Sequence, residues 1–266
     1  PATVGTYNLT NGELRGRALV ATNFTWLRGS LNGEAPGDSL TIPAGGQGLL
    51  ASAGPKVLGD YTGSVNGRSI TNYGTLTMAD TGITGYYGAR FHNAGLLTAL
   101  NPTGLAYGGA GQAPWFINTG TLEAAASFTF NTESVLNSGI LHALAGSLTF
   151  ISCAMTNNAD GLLKADPSAF LEFSGSGNNE FHGRVESAGY NHLRLVGGVS
   201  VLSTTNLDLP SIHLLGGVLL QRTNVVVTTL NQADGTWNLQ VPATVGTYNL
   251  TNGELRGRAL VATNFT

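Results

Sequence analysis

The densest set of side chains able to do chemistry is Glu180, His182, Arg184 and Glu186, followed by His192 and Arg194. Alternation along an extended strand puts the first four on one face, with Phe181 and Val185 on the other. Two carboxylates beside a His and an Arg are the ingredients of polysaccharide cleavage. That chemistry needs clustered carboxylates, for Ca²⁺ or for proton transfer, often with a basic Arg or Lys. The same order of charges also makes a solvated strand face that neutralises itself, and no paired-Asp motif accompanies it. The second reading is preferred, and it extends to Glu123, His142 and Lys164. No catalytic residue, metal ligand or cofactor is therefore expected.

Other searches point the same way. His92, His142, His182, His192 and His213 show no HxxxH or HxH spacing, which argues against zinc. Gly108-Gly109-Ala110-Gly111 lacks the Lys and the following helix of a phosphate loop. Cys153, the single cysteine, lies in the apolar run Phe150–Met155 and reads as a buried, inert thiol. Asn8-Leu9-Thr10, Asn23-Phe24-Thr25 and their counterparts at Asn249 and Asn264 fit the N-glycosylation pattern, which a Thr/Asn-rich chain produces by chance.

Composition narrows the setting. Charged residues make up 10% of the 266, against about 25% in an ordinary soluble domain, and Gly contributes 38. Hydroxyls and amides supply the polarity instead, which favours an extracellular or cell-surface location. A net charge of −3 offers no basic stripe for nucleic acid. No apolar run of about 18 residues is present, so no membrane span is expected.

The elements behind these residues come from a short internal repeat. Its copies are Asn72-Tyr73-Gly74-Thr75-Leu76, Asn93-Ala94-Gly95-Leu96-Leu97, Asn118-Thr119-Gly120-Thr121-Leu122 and Asn137-Ser138-Gly139-Ile140-Leu141. A looser copy begins at Asn158 with one inserted residue and reaches Gly161 and Leu163. The glycines at 74, 95, 120, 139 and 161 are 21, 25, 19 and 22 apart. That period suits one turn of a solenoid, and no 3.6-residue apolar periodicity runs through it. Aligned on the Gly, the copies form columns: Leu76, Leu97, Leu122, Leu141 and Leu163, then Met78, Ala99, Ala124, Ala143 and Ala165. Both columns point inward, while Thr77, Thr98, Glu123, His142 and Lys164 between them face solvent. A later strand in three coils ends on Phe130, Phe150 and Phe173, expected to stack as an interior aromatic column. Gly and Asn at the corners are expected to supply left-handed backbone. Asn72, Asn93, Asn118 and Asn137 are expected to form a buried side-chain ladder along the axis. The fold class is all-β: a parallel β-helix, or β-solenoid, with coils of about 19–25 residues. Residues 33–60 and 101–115, rich in Pro and Gly, are expected to protrude as loops.

Asn118–Leu122, Asn137–Leu141 and the stretch from Phe181 through Ser187 to Leu193-Arg194-Leu195 resemble the β-solenoid passengers of bacterial autotransporters and filamentous-haemagglutinin-like adhesins. The resemblance covers roughly residues 70–240 and implies a right-handed parallel β-helix at the bacterial surface. It carries over no catalytic residue.

Residues 1–25 recur without a change at 242–266, an offset of 241. A chain opening on Pro1 and closing on a copy of its own beginning reads as a piece of something longer. Residues 1–241 are one solenoid repeat, and 242–266 begin the next. The expected function is a structural unit of an extracellular tandem-repeat fibre, with copies of itself head-to-tail as partners, joined covalently or end to end. An adhesin or glycan-binding module is the alternative, using Tyr86, Tyr87, Tyr107 and Trp115 in or near the second loop. A polysaccharide-cleaving β-helix enzyme is third.

Overall fold

The computed structural model describes residues 1–35, 37–59, 68–188 and 193–266, so His192, Pro36 and Asp60 lie outside the described residues. No helix occurs among the described residues; parallel strands stack into a β-solenoid of about 12 coils. The chain divides into two compact units, residues 1–135 and 136–266.

In the first unit a regular coil has three strands. Ser69–Asn72, Thr75–Met78 and Ile83–Gly85 make one, and Arg90–Asn93, Leu96–Ala99 and Thr103–Tyr107 the next. The first two strands of each coil meet at an Asn-x-Gly corner and build one face; the third belongs to the other face. Stacking holds the repeat in register, with Asn72 beside Asn93 beside Asn118 and Leu76 beside Leu97 beside Leu122. These side chains are buried, and Thr77, Thr98 and Glu123 lie half-exposed between them. Period-two alternation of Leu, Ala and Met with polar residues therefore becomes a columnar core.

The corner glycines have a different cause from the one expected. Gly74, Gly95 and Gly120 do not have positive φ. A Cβ on Gly95 would overlap the carbonyl oxygen of Gly74, and one on Gly120 that of Gly95. Close approach of stacked backbones selects Gly there, not left-handed backbone. Much of the two segments expected to protrude also lies in the coils. Ser39–Ile42, Gln47–Leu50, Lys56–Leu58 and Thr103–Tyr107 are strands with Leu40, Ile42, Leu50, Leu58 and Leu105 buried. Their Gly and Pro residues mark corners between short strands, which composition alone does not separate from loops.

The second unit repeats the scheme and then tightens. Leu141 sits beside Leu163 beside Val185, and Phe173 beside Leu195 beside Leu214. From Val199 to Val218 the coil takes 19 residues, from Val218 to Thr236 and from Thr236 to Glu254 18, and from Ala243 to Leu260 17. Long strands appear on the second face there, such as Val226–Gln232 and Ala243–Leu250. Coils thus run shorter than the expected 19–25 residues.

Candidate functional site

The charged cluster resolves into separate pairs. Glu180 lies in Asn178–Phe181 and Glu186 in Arg184–Ser187, with His182 and Gly183 at the corner between. All four polar side chains face outward, as alternation requires. His182 Nε2 is 3.1 Å from Glu180 Oε2, and Arg184 pairs with Glu186. Arg194 joins the other face, 3.1 Å from Glu172 and 4.9 Å from the Phe170 ring. His142 Nε2 approaches Asp166 at 2.8 Å, and Lys164 reaches the same carboxylate at 3.8 Å. Each carboxylate named here has a cation or imidazole within contact. The register sets Thr156 and Val201, not a second carboxylate, beside Glu180. Such pairs neutralise a strand face. Cys153 is buried and free.

The buried asparagines form a second arrangement, a row within each unit. In the first unit Asn72 Nδ2 donates to Asn93 Oδ1 at 2.8 Å and to the Leu96 carbonyl at 2.9 Å. Asn93 Nδ2 repeats both bonds one coil on, to Asn118 Oδ1 at 2.8 Å and Thr121 O at 2.9 Å. In the second unit Asn137 Nδ2 donates to Asn157 Oδ1 at 2.7 Å. The looser repeat therefore aligns through Asn157, with two inserted residues before Gly161 rather than one after Asn158. The amides of Asn72, Asn93 and Asn137 each bond both a neighbouring amide and a carbonyl of the next coil. The row stops where apolar residues take its place, at Ile42 beside Asn72 and at Phe181 beside Asn157. Asn72 Oδ1, at the row's end, is buried without a partner. Phe150 and Phe173 stack at 4.6 Å with planes 1° apart, and Phe130 packs against Phe116 and Phe128.

Two buried cations escaped sequence reasoning. Lys56 is an inward residue in the column of Ile83, Leu105 and Phe130, yet its Nζ donates to Ser52 O at 2.9 Å, Gly54 O at 3.3 Å and Thr81 Oγ1 at 2.9 Å. Burial pushes its pKa down, against a smaller upward pull from Asp80. Arg68 donates from Nη1 to Gly16 O at 3.0 Å and from Nη2 to Arg17 O and Ser39 O, both at 2.9 Å. Burial lowers its pKa too, partly offset by Asp38 and Tyr7. The in/out parity of Lys56-Val57-Leu58 was the only available signal, and it appears only once the coil is in register.

No protein-family model, curated protein or solved structure matches the chain. The aromatics named for glycan stacking are partly engaged with their own loop. A Cβ on Gly108 would overlap the Tyr86 ring and one on Gly111 the Tyr87 ring, while Tyr107 Oη donates to Gly111 O at 2.7 Å. Trp115 carries Arg90 at 6.0 Å from its ring centroid.

The duplicated sequence forms the same coil twice. Strands Ala2–Leu9 and Leu19–Trp26 pair with Ala2 beside Leu19 and Tyr7 beside Phe24. Ala243–Leu250 and Leu260–Phe265 pair with Ala243 beside Leu260 and Tyr248 beside Phe265. Gly5 and Gly246 occupy the same unpaired step in both. The faces differ. In the first unit these two strands join the Asn-corner face, above Ser39–Ile42 and Gln47–Leu50. In the second unit they join the face of Phe173, above Val226–Gln232. A 17-residue coil has a long strand that stacks equally on a merged or a cornered partner.

Proposed function

We propose that the chain is a structural unit of an extracellular tandem-repeat β-solenoid fibre or cell-surface filament, akin to the autotransporter and haemagglutinin-like passengers it resembles. One observation carries this: an identical 25-residue sequence folds into the same coil, in the same register, at both places where it occurs. A coil that stacks on two different neighbours is what continuous propagation requires. Low charge and a single buried thiol fit an extracellular setting. No catalysis is assigned, because Glu180, Glu186, Glu172 and Asp166 each face a cation or an imidazole. Negative-stain imaging of the native material tests it. Filaments should show an axial repeat on the order of 50 Å, from about eleven coils at ~4.8 Å each. Compact particles alone would end the proposal. Depolymerisation assays on acidic polysaccharides and a glycan array test the enzyme and adhesin alternatives.

A further inference from the structure

The sequence holds a single Asp-Pro bond, Asp166–Pro167, at a corner of the second unit between Leu162–Ala165 and Ala169–Ser174. Asp166 through Ala169 form a β-turn with Pro at its second position, closed by Ala169 N donating to Asp166 O at 2.9 Å. The corner is fixed to the coil before it. Asp166 N donates to Ala143 O at 2.9 Å, and Ser168 Oγ to Leu144 O at 3.4 Å. His142, one coil back, sets its Nε2 2.8 Å from Asp166 Oδ1. Lys164 Nζ lies 3.8 Å from the same oxygen, and Glu186, beside Lys164, is held by Arg184. The bond itself is chemically distinct from other Asp bonds. Pro167 has no N–H, so its nitrogen cannot attack the Asp166 side chain and the succinimide route is closed. Attack of the carboxylate on its own carbonyl carbon stays open, as an intramolecular step that closes a cyclic anhydride.

We infer that the chain cuts itself at Asp166–Pro167. Nucleophile, proton donor and oxyanion donor stand together at this corner. Asp166 Oδ2 attacks the Asp166 carbonyl carbon, and the developing negative charge falls on the oxygen that already accepts from Ala169 N–H. The C–N bond to Pro167 then breaks as the His142 imidazolium gives its proton to that nitrogen. Water opens the anhydride, which restores the Asp166 side chain and leaves a new α-carboxylate. Its two protons go to His142 and to the Pro167 amine. One water is consumed, and nothing is oxidised or reduced. Pro167 and Ser168 are exposed, so that water reaches the corner. The event occurs once per chain and acts on no outside substrate. Because the cut falls between strands, the ladders of Leu162–Ala165 on Ile140–Ala143 and of Ala169–Ser174 on Gly146–Ile151 remain. The inference stands apart from the fibre proposal.

The purified full chain is held at about pH 5.5, where a carboxylate is ionised and an imidazole largely protonated. Samples are denatured and their masses measured over time. Fragments 1–166 and 167–266 should accumulate at least ~10-fold faster than the same cut in a free peptide of residues 160–173, which has the bond without the corner. His142→Gln should slow the folded chain at least ~10-fold. Asp166→Ala and Pro167→Ala should abolish the cut. A folded chain cut no faster than the peptide overturns the inference, as does an undiminished rate in His142→Gln. If His142→Gln loses its β signal, the peptide comparison decides, since it needs no variant. Uncut chains in native filaments would sink this inference alone, and cut chains in compact particles would sink only the fibre proposal.

Discussion

At the scale of single residues, the interior of the first unit is maintained by amides and cations, and that of the second by amides, that an apolar column would have excluded. Asn93 accepts from Asn72 and donates to two groups of the next coil, so Asn93→Leu strips partners from both neighbours. Asn72 already has an orphaned acceptor, and Asn72→Leu removes that orphan along with its bonds. We expect Asn93→Leu to cost about 2–4 kcal/mol and Asn72→Leu about 1–2 kcal/mol less, measured by urea unfolding. Equal costs would mean that the row does not act as a chain. Lys56 gives a pH signature. Its folded-state pKa is lowered by burial, so the unfolded chain binds more protons between that lowered value and the ordinary 10.5. Stability should rise with pH through that window, and the rise should vanish in Lys56→Met. Parallel denaturation midpoints of the two proteins from pH 7 upward check it; the same slope in both would refute the assignment.

At the scale of elements, Arg68 ties the first coils together. Its guanidinium bonds carbonyls from two successive coils, Gly16 and Arg17 in one and Ser39 in the next, from a third. Arg68→Met keeps the apolar stem but leaves those carbonyls without their donor. The expected cost is about 3–5 kcal/mol, concentrated in residues 1–25. Amide hydrogen exchange should quicken in Leu19–Trp26 while Leu96–Ala99 stays protected. Uniform acceleration across the first unit would show that Arg68 is not a local strut.

At the scale of the whole molecule, the duplicated coil ends on the face of Phe173 but begins on the Asn-corner face. In a tandem array those faces must exchange at every junction, because one coil cannot occupy both. A chain carrying the 241-residue repeat twice should show, by cryo-electron microscopy, the second copy's Ser39–Ile42 equivalent continuing the ladder of Val226–Gln232. If the Asn corners of the two repeats fall in one line, the duplicated coil must have changed face, and the exchange is wrong.

The sequence by itself determined the columns. Leu76, Leu97 and Leu122 recur at one distance from Gly, and period-two alternation decides inward from outward before any coil closes. Asn72, Asn93 and Asn118 were legible as a row for the same reason: like residues stack when register is kept. Tertiary structure alone decided three other matters. Gly95 is required by the backbone of the coil stacked on it, a distance that no local pattern contains. Arg68 is buried because carbonyls from other coils converge on it, and Lys56 because the Thr81 hydroxyl of the next coil joins its own Ser52 and Gly54 carbonyls, although their neighbours in sequence resemble loop. The face of the duplicated coil is the clearest case, since 25 identical residues cannot specify two answers. Their pairing register is the same at both sites, with the unpaired step at Gly5 or Gly246. Which face they join is set by the strands they stack on, Ser39–Ile42 and Gln47–Leu50 at one site and Val226–Gln232 at the other, because stacked backbone hydrogen bonds accept any strand that arrives in register.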